Sequence, residues 1–488
     1  MLALGLDLGT TSISAAAVAA DARIVARVTR PHRADLETGL AGRAEQSPAV
    51  LLEMALDVLA ELAGQLNGRP ACLGLTGQMH SLLLADNQLN PLGNVITWQD
   101  KRSLESAGAD GSWLERFRTR CDAAAVLRTG CTPSPGYLAV TLFTLQGQGL
   151  LPDVARHASI LADWLAATLT ASKPVTDRTN AASTGVFDLE QDGWSHLIEA
   201  TGLPRELFPD VVDSGKIVGG LTARFADRTG LPVGLPVAAA VGDHQAAVLG
   251  SLPAGEKALH VNIGTGGQVS LPISRFVQTQ KSDTRYLPEG RYLLVGAGLA
   301  GGDAYAWVRR TCERWLDALP DASIGRSANR DEGQVMDAIN RLAAAVLPGC
   351  DGLRCEPFFR GTRREPDRRG LFSGITIDNF TPGHVARAVL EGIAEALAGF
   401  ACDHAALPDI SGPFTRVVAT GNAVKRNQVL AECIARAFGR PVFVPEHEEE
   451  AAFGAAVLAG VQTGLWQSLN QAGAEYRLRL VASPDANG

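Results

Sequence analysis

The sequence predicts an α/β protein made of two related lobes, and three observations carry that prediction. The chain opens on a strand-turn-strand pattern, "GLDLGTTSISA" from Gly5 to Ala15, and "HVNIGTGGQVSL" from His260 to Leu271 echoes it half a chain later. Segments of helical periodicity alternate with the short apolar runs in both halves. A length of 488 residues leaves room for two or more domains. A coincidence of two common Gly-Thr turns is the alternative to duplication.

In chain order, "LALGLDLG", "SISAAAVAA" and "DARIVARVTR" read as a meander of strands, with a turn around Asp21-Ala22. "SPAVLLEMALDVLAELAGQL" then places apolar residues at helical spacing, with Ser47 as cap and Pro48 in the first turn. "ACLGLTGQMHSLLLAD" returns to strand, broken by a Gly-Gln-Met-His turn. The Gly/Pro-rich "GLPVGLPVAAAVGDHQAA" marks the expected boundary, dividing the chain into residues 1–245 and 246–488. The last third holds long helical patterns, "TPGHVARAVLEGIAEALAGFACDHA" and "NQVLAECIARAFG", and a final helix in "EEEAAFGAAVLAGVQTGLW". That last helix tolerates Gly454 and Gly460, which predicts something packed closely against it.

Composition narrows the class. Hydrophobic content of 46% and charged content of 20% are ordinary for a globular chain. A net charge of −8, without a Lys/Arg cluster, argues against a nucleic-acid surface. Eight scattered cysteines fit no zinc or redox spacing and read as reduced thiols. No apolar run reaches membrane-spanning length, and no basic segment followed by an apolar core opens the chain, so a cytoplasmic protein is expected.

The opening turn poses a chemical problem. Gly9, Thr10 and Thr11 present backbone N–H groups and hydroxyls suited to phosphate oxygens, yet Asp7 beside them should repel an anion. A divalent cation between them resolves this, since Mg²⁺ takes carboxylate and phosphate oxygens together. The segment thus reads either as a Mg²⁺-nucleotide site or as a tight hairpin with a solvated Asp7. It is not a P-loop. Asp243 follows the apolar run "PVAAAVG" and should emerge at a strand end, where it could take a proton from an attacking hydroxyl or simply cap a helix. In "TGQMHSLLL" and "TWQDKR", Gln78, His80, Gln99, Asp100 and Arg102 offer polyol contacts, and Met79 and Trp98 offer apolar faces. Gly421-Asn422 ends a strand before a helix, where a flat ring could approach the backbone. "EHEEEAAFG" reads as a charged loop capping the last helix, not as a metal site.

In this order, Asp-x-Gly-Thr-Thr, Gly-Gln-Met-His, Trp-Gln-Asp-x-Arg, Gly-Asp-x-Gln, Gly-Thr-Gly and Gly-Asn-Ala resemble the FGGY carbohydrate kinases over essentially the whole chain. The resemblance implies two actin-like (ribonuclease H-like) lobes with a duplicated βββαβα core and an interlobe cleft. It implies ATP and Mg²⁺, with Asp7 and Asp243 toward the metal and Asp243 as the base for a sugar's terminal hydroxyl. It implies nucleotide contacts from Gly9, Thr10, Thr11, Gly264, Thr265, Gly266, Gly302, Gly421 and Asn422. It implies sugar contacts from Gln78, Met79, His80, Trp98, Asp100, Arg102 and Asp243. Glu45-Gln46 matches a Glu-Gln motif of the family whose role the sequence does not reveal.

Three departures stand out. Ser14 replaces a phosphate-side Lys or Arg, with Lys425 or Arg426 as compensating cations. Ala306 replaces the adenine-side Gln of glycerol kinases, and Met79-His80 replaces their Arg-Glu pair, which argues against glycerol. The motifs resemble sedoheptulokinases most, then xylulokinases. The expected activity is ATP-dependent phosphorylation of sedoheptulose or D-xylulose, with ribulose, or a sugar-independent nucleotide switch or chaperone on the same fold, as alternatives. The expected partners are a small-molecule sugar and ATP, without nucleic acid or membrane, and a homodimer is left open.

Overall fold

A computed structural model of the chain describes residues 1–109, 111–253, 255–279, 282–318, 332–362, 365, 367–405 and 414–484. Contacts divide it into two compact units. The first comprises Met1–Glu256, Ile273–Leu293 and His447–Arg477, and the second comprises Lys257–Pro272, Leu294–Glu446 and Leu478–Gly488.

In the first unit the meander forms as expected: β1 (Leu2–Leu8), β2 (Ser12–Ala19) and β3 (Ile24–Pro31) pair antiparallel in turn. Helix α1 (Pro48–Gly64) starts at Ser47, whose side chain accepts from the Val50 N–H, with proline in the first turn. It buries Leu51, Ala55, Val58, Leu59 and Leu62, the residues at helical spacing. β4 (Pro70–Gly77) lies parallel to β1 on its other side. Beyond it come β5 (Ile217–Gly220) and β6 (Pro236–Ala238), giving the order β5-β6-β4-β1-β2-β3, while β7 (Val241–Gly242) also pairs with β4.

The second unit repeats this plan. β8 (Ala258–Ile263) pairs antiparallel with β9 (Gly267–Ile273) and parallel with β11 (Arg416–Thr420). β10 (Arg291–Leu299) lies beyond β9, and β12 (Val442–Pro445) and β13 (Leu478–Ala482) lie beyond β11. The outer pair β12-β13 is antiparallel, as β5-β6 is in the first unit. Strand order therefore matches from β13 to β10, and the directions match in the pairs β8-β9, β8-β11, β11-β12 and β12-β13, so the echo read in the sequence is a duplication of topology. The predicted helices are present as α7 (Pro382–Ala405) and α9 (Gln428–Phe438).

A single cut at 245/246 does not describe these units, because helix α5 (Asp243–Ser251) runs through it. Helix α10 (Glu450–Gln462), although late in the sequence, belongs to the first unit. Glycines allow it to sit there: a Cβ on Gly5 would lie 1.8 Å from the Ala452 carbonyl oxygen, and one on Gly454 1.9 Å from that of Ala246. No side chain fits at those crossings, so backbone meets backbone. Gly460 likewise faces the Trp466 ring. Among the described residues, no helix is long and apolar enough to cross a membrane.

Candidate active site

The register of three neighbouring strands builds the acidic part of the site. Asp7 in β1 stands beside Thr76 in β4, which stands beside Val241 in β7; one residue on, Leu8, Gly77 and Gly242 align. β1, β4 and β7 are mutually parallel, so all three chains leave the sheet at the same carboxyl edge, where α/β folds place ligands. Asp7 and the strand leading into Asp243 are two strand spacings apart, about 10 Å between backbones.

Asp243 is the first residue of α5 and follows Gly242, the helix cap. It does not cap the helix; its Oδ1 accepts from the neighbouring His244 N–H at 2.7 Å. Burial pushes its carboxyl up to about 6. Asp7 is pushed further, to about 8, by burial first and then by the charges of Asp243 and Glu449. Its Oδ1 is shielded from solvent and has no hydrogen-bond partner among the described residues. An orphaned, desolvated oxygen facing two like charges fits a divalent cation. Among the described residues, however, no three His, Cys, Asp or Glu side chains cluster as a ready-made metal site.

The first turn is held from behind. His32 Nε2 contacts the Gly9 carbonyl at 3.2 Å, Gln46 Nε2 donates to the Thr10 carbonyl at 2.9 Å, and the His32 N–H donates to the Thr11 carbonyl at 3.1 Å. Ser14 is buried opposite Asp7 in the β1–β2 pair.

The predicted sugar segment divides into two groups. After Gly77, buried Gln78 gives its amide to Gln46, and the Met79 thioether fills the space above Gly242. His80 has φ +69°, a left-handed conformation unusual outside glycine. Its Nδ1 lies 2.6 Å from the Ser183 carbonyl, an acceptor, so the ring proton sits on Nδ1. The His80 ring stacks on Tyr137 with centroids 4.2 Å apart. Trp98 is exposed, and its Nε1 donates to Thr10 Oγ1 at 3.1 Å; Gln99 is exposed beside it.

Asp100 and Arg102 have another occupation. Both are buried, and Asp100 accepts from Arg102 Nε at 2.8 Å, Arg102 Nη2 at 2.9 Å, and the Arg102 and Ala44 N–H groups. Arg102 Nη2 also reaches Glu45 at 2.5 Å. The carboxylate is saturated from within the protein, so this pair braces the loop that carries Trp98. Glu45 of the Glu-Gln motif belongs to that brace.

The second unit gathers its predicted residues at the end of β8. The Gly302 and Asp303 N–H groups, at the start of α6 (Gly301–Ala318), donate to the carbonyls of Gly264 and Thr265 at 2.9 and 3.0 Å. Gly421 has φ +89°, and a Cβ there would lie 2.4 Å from the Ile263 carbonyl oxygen. Its glycine is required by that neighbouring strand as much as by any ligand. Asn422 then begins the short helix α8 (Asn422–Arg426), whose last turn carries Lys425 and Arg426, and Ala306 lies within α6.

Sequence reasoning missed Tyr137 and Glu449, and it named Gln245 only as the last residue of the Gly-Asp-x-Gln motif, without a role. Tyr137 is buried between His80 and Arg285, whose Nη2 donates to its hydroxyl at 2.8 Å. Buried Gln245 donates to the Tyr286 carbonyl at 3.2 Å and has no partner for its own Oε1 among the described residues. Glu449 accepts from Thr29 Oγ1 at 2.7 Å, while Glu448 pairs with Arg27. Only the acidic run "EHEEE" hinted at Glu449, and a run of acids does not say which one turns inward.

Paired carboxylates at the carboxyl edge of a duplicated α/β fold, beside a Gly-Thr turn, are the kinds of group that phosphoryl transfer uses. The N-terminal domain of the FGGY family of carbohydrate kinases matches residues 2–250, and the C-terminal domain matches residues 260–463. The chain belongs to that family, and is a sugar or polyol kinase, a phosphotransferase with an alcohol group as acceptor. It is 30% identical to a glycerol kinase of Trichlorobacter lovleyi over 95% of this chain and 90% of that protein. It is 28% identical to the sedoheptulokinase of Mus musculus over 93% and 96% of the two chains. Among solved structures, xylulose kinase from Rhodospirillum rubrum is similar at TM-score 0.84 and 26% identity, over 99% of this chain and 94% of that one. Glycerol kinase of Plasmodium falciparum, solved with ADP, shares the fold at TM-score 0.82 and 20% identity, over 99% and 94%. Family membership sets aside the reading of a sugar-independent switch.

Proposed function

We propose that this kinase transfers the γ-phosphoryl group of ATP to the terminal hydroxyl of a ketose, sedoheptulose or D-xylulose, with Asp243 as general base. The observation that carries the reading is the placement of Asp243, a carboxylate that begins α5 on the same sheet edge as Asp7; burial there pushes it up to about 6. A base with that affinity is ionised at neutral pH and still accepts a proton as one is released. Asp243 takes the hydroxyl proton as the sugar oxygen bonds to the γ-phosphorus; the bond from that phosphorus to the bridging oxygen breaks, and ADP leaves with the electron pair.

Mg²⁺ bound by Asp7 and Asp243 would neutralise phosphate charge. Gly9, Thr10 and Thr11 of the first turn, and Gly264, Thr265, Gly266, Gly302, Gly421 and Asn422 of the second unit, would hold the nucleotide through backbone N–H groups and hydroxyls. Met79, His80 and Trp98 would line the sugar, with Tyr137 fixing the His80 ring. Gln78, Asp100 and Arg102 support these groups from behind.

Glycerol is a second reading, favoured by the 30% identity to the Trichlorobacter lovleyi enzyme. The experiment is a coupled ADP-release assay with Mg²⁺-ATP against sedoheptulose, xylulose, ribulose, fructose, gluconate, glycerol and a no-sugar blank. Turnover with one ketose well above the others supports the proposal. Turnover with glycerol alone replaces it, and rates equal to the blank throughout would refute it.

A further inference from the structure

We infer that Gln46 is a positioning residue that fixes the Gly9–Thr11 turn and ties it to the sugar-side segment at Gln78. The inference rests on the kinase reading above, because it assigns that turn to nucleotide phosphates.

Gln46 is almost fully buried, and both ends of its amide are committed. Its Nε2 donates to the Thr10 carbonyl at 2.9 Å and to Asp35 Oδ1 at 2.8 Å. Its Oε1 accepts from Gln78 Nε2 at 2.7 Å. Two acceptors on one side and a donor on the other leave the amide one orientation. Gln78 is itself anchored to the end of β1, its N–H donating to the Leu8 carbonyl at 3.0 Å. From the other sugar-side segment, Trp98 Nε1 reaches the Thr10 hydroxyl at 3.1 Å. Thr10 is therefore gripped by its carbonyl through Gln46 and by its hydroxyl through Trp98.

The consequence follows from peptide geometry. The peptide unit is planar and trans here, so its C=O and its N–H point in opposite directions. Anchoring the carbonyls of Gly9 and Thr10 to His32 and Gln46 turns the N–H groups of Thr10 and Thr11 the opposite way. Preorganised donors bind an anion without reorganising at the moment of reaction. A glutamine amide suits this position, because a carboxylate there would set negative charge against the Thr10 carbonyl and Asp35. Displacement of Gln78 or Trp98 by a bound sugar has a direct mechanical route to Thr10.

The test is Gln46→Met, which keeps chain length and removes the amide. The expected result is a rise of about tenfold in KM for ATP and in the calorimetric Kd for Mg²⁺-ADP, with KM for the sugar changed less than about threefold. Gln78→Met leaves the Gln46–Thr10 bond in place and is expected to shift the ADP affinity less than Gln46→Met does. An unchanged ADP affinity, or an equal rise in both KM values, would overturn the inference. Should Gln46→Met not fold, Gln46→Glu keeps an oxygen for Gln78 and gives up both donors; wild-type ADP affinity in that variant overturns the inference equally. If the unmodified chain turns over no sugar, the proposed function falls, while the ADP affinities still decide the role of Gln46.

Discussion

Replacing Asp243 separates its chemistry from its place in the fold. Its Oδ1 accepts from His244 N–H at 2.7 Å, and an asparagine oxygen accepts the same bond with nearly the same shape, so Asp243→Asn should fold and bind sugar. What disappears is the base. General-base assistance contributes about 10²–10⁴ in rate, so kcat should fall by that factor, or about 3–5 kcal/mol of transition-state stabilisation. Asp243→Ala should fall at least as far, because it also loses the bond to His244. The wild-type profile carries a matching signature. A base titrating at about 6 is mostly ionised at pH 7.5, and kcat/KM should drop roughly tenfold per pH unit below that value. The Asp243→Asn profile should lack this limb. The assay is coupled ADP release across pH 5–8, with sugar affinity measured by calorimetry. A kcat for Asp243→Asn within about tenfold of wild type, with the acidic limb intact, would refute the base assignment.

Three further substitutions test the scaffold. Asp163, at the start of the helix Leu161–Thr170, is buried; burial and the nearby Asp177 hold its carboxyl well above the ordinary 3.8. The unfolded chain releases that proton first, so the stability it confers is present below about 3.8 and is lost as pH rises toward the folded value. Asp163→Asn should abolish this slope, about 1.4 kcal/mol per pH unit at most, as read from urea midpoints at pH 4.5 and 7.5; parallel curves would contradict it. Gly454→Ala would drive a methyl into the Ala246 carbonyl. It should destabilise by about 1–3 kcal/mol or more and lower kcat as well, since Ala246 shares α5 with Asp243; an unshifted unfolding curve would show that the helices separate freely. Tyr137→Phe removes one of the two acceptors of Arg285 Nη2, leaving Asp283 at 3.0 Å, on a buried guanidinium whose Nη1 already lacks a partner among the described residues. About 0.5–1.5 kcal/mol should be lost in chemical denaturation, with sugar KM little changed because the ring on His80 remains; full stability would mean that the Asp283 ion pair alone satisfies Arg285.

Legibility in the sequence tracked the range of the forces involved. The meander, α1 and the strand-to-helix turns were readable because alternation and helical spacing report burial locally, and Ser47-Pro48 announces a helix start by its own chemistry. The placement of Asp7 and Asp243 at a sheet edge was readable because each follows an apolar run that must end there. The mutual pairing of Asp100 and Arg102 was not readable, because Glu45, which completes their brace, lies far away in sequence. Tyr137 gained its place through partners distant in sequence, the His80 ring on which it stacks and the Arg285 guanidinium that donates to its hydroxyl. The return of α10 to the first unit depended on glycines whose partners sit hundreds of residues away.

Duplication supplies the sharpest reading of how the chemistry is apportioned. Asp7 precedes the last residue of β1, and Asn262 precedes the last residue of β8, the matching strand of the other unit. Each stands just before a Gly-Thr turn. An amide beside such a turn can meet an anion directly, whereas a carboxylate cannot without a cation or a proton between them. The two turns therefore share a backbone but differ in chemistry. Beside the first, burial and then the charges of Asp243 and Glu449 hold the Asp7 carboxyl up, whereas the acid beside the second, Asp303, is already paired with Arg310 and Arg360. Asn262→Asp would copy the carboxylate without that company, and on this argument it should weaken nucleotide binding rather than create a second centre. Calorimetry with Mg²⁺-ADP would show it, and tighter binding in that variant would mean that the surroundings of Asp7, not the carboxylate itself, distinguish the two turns.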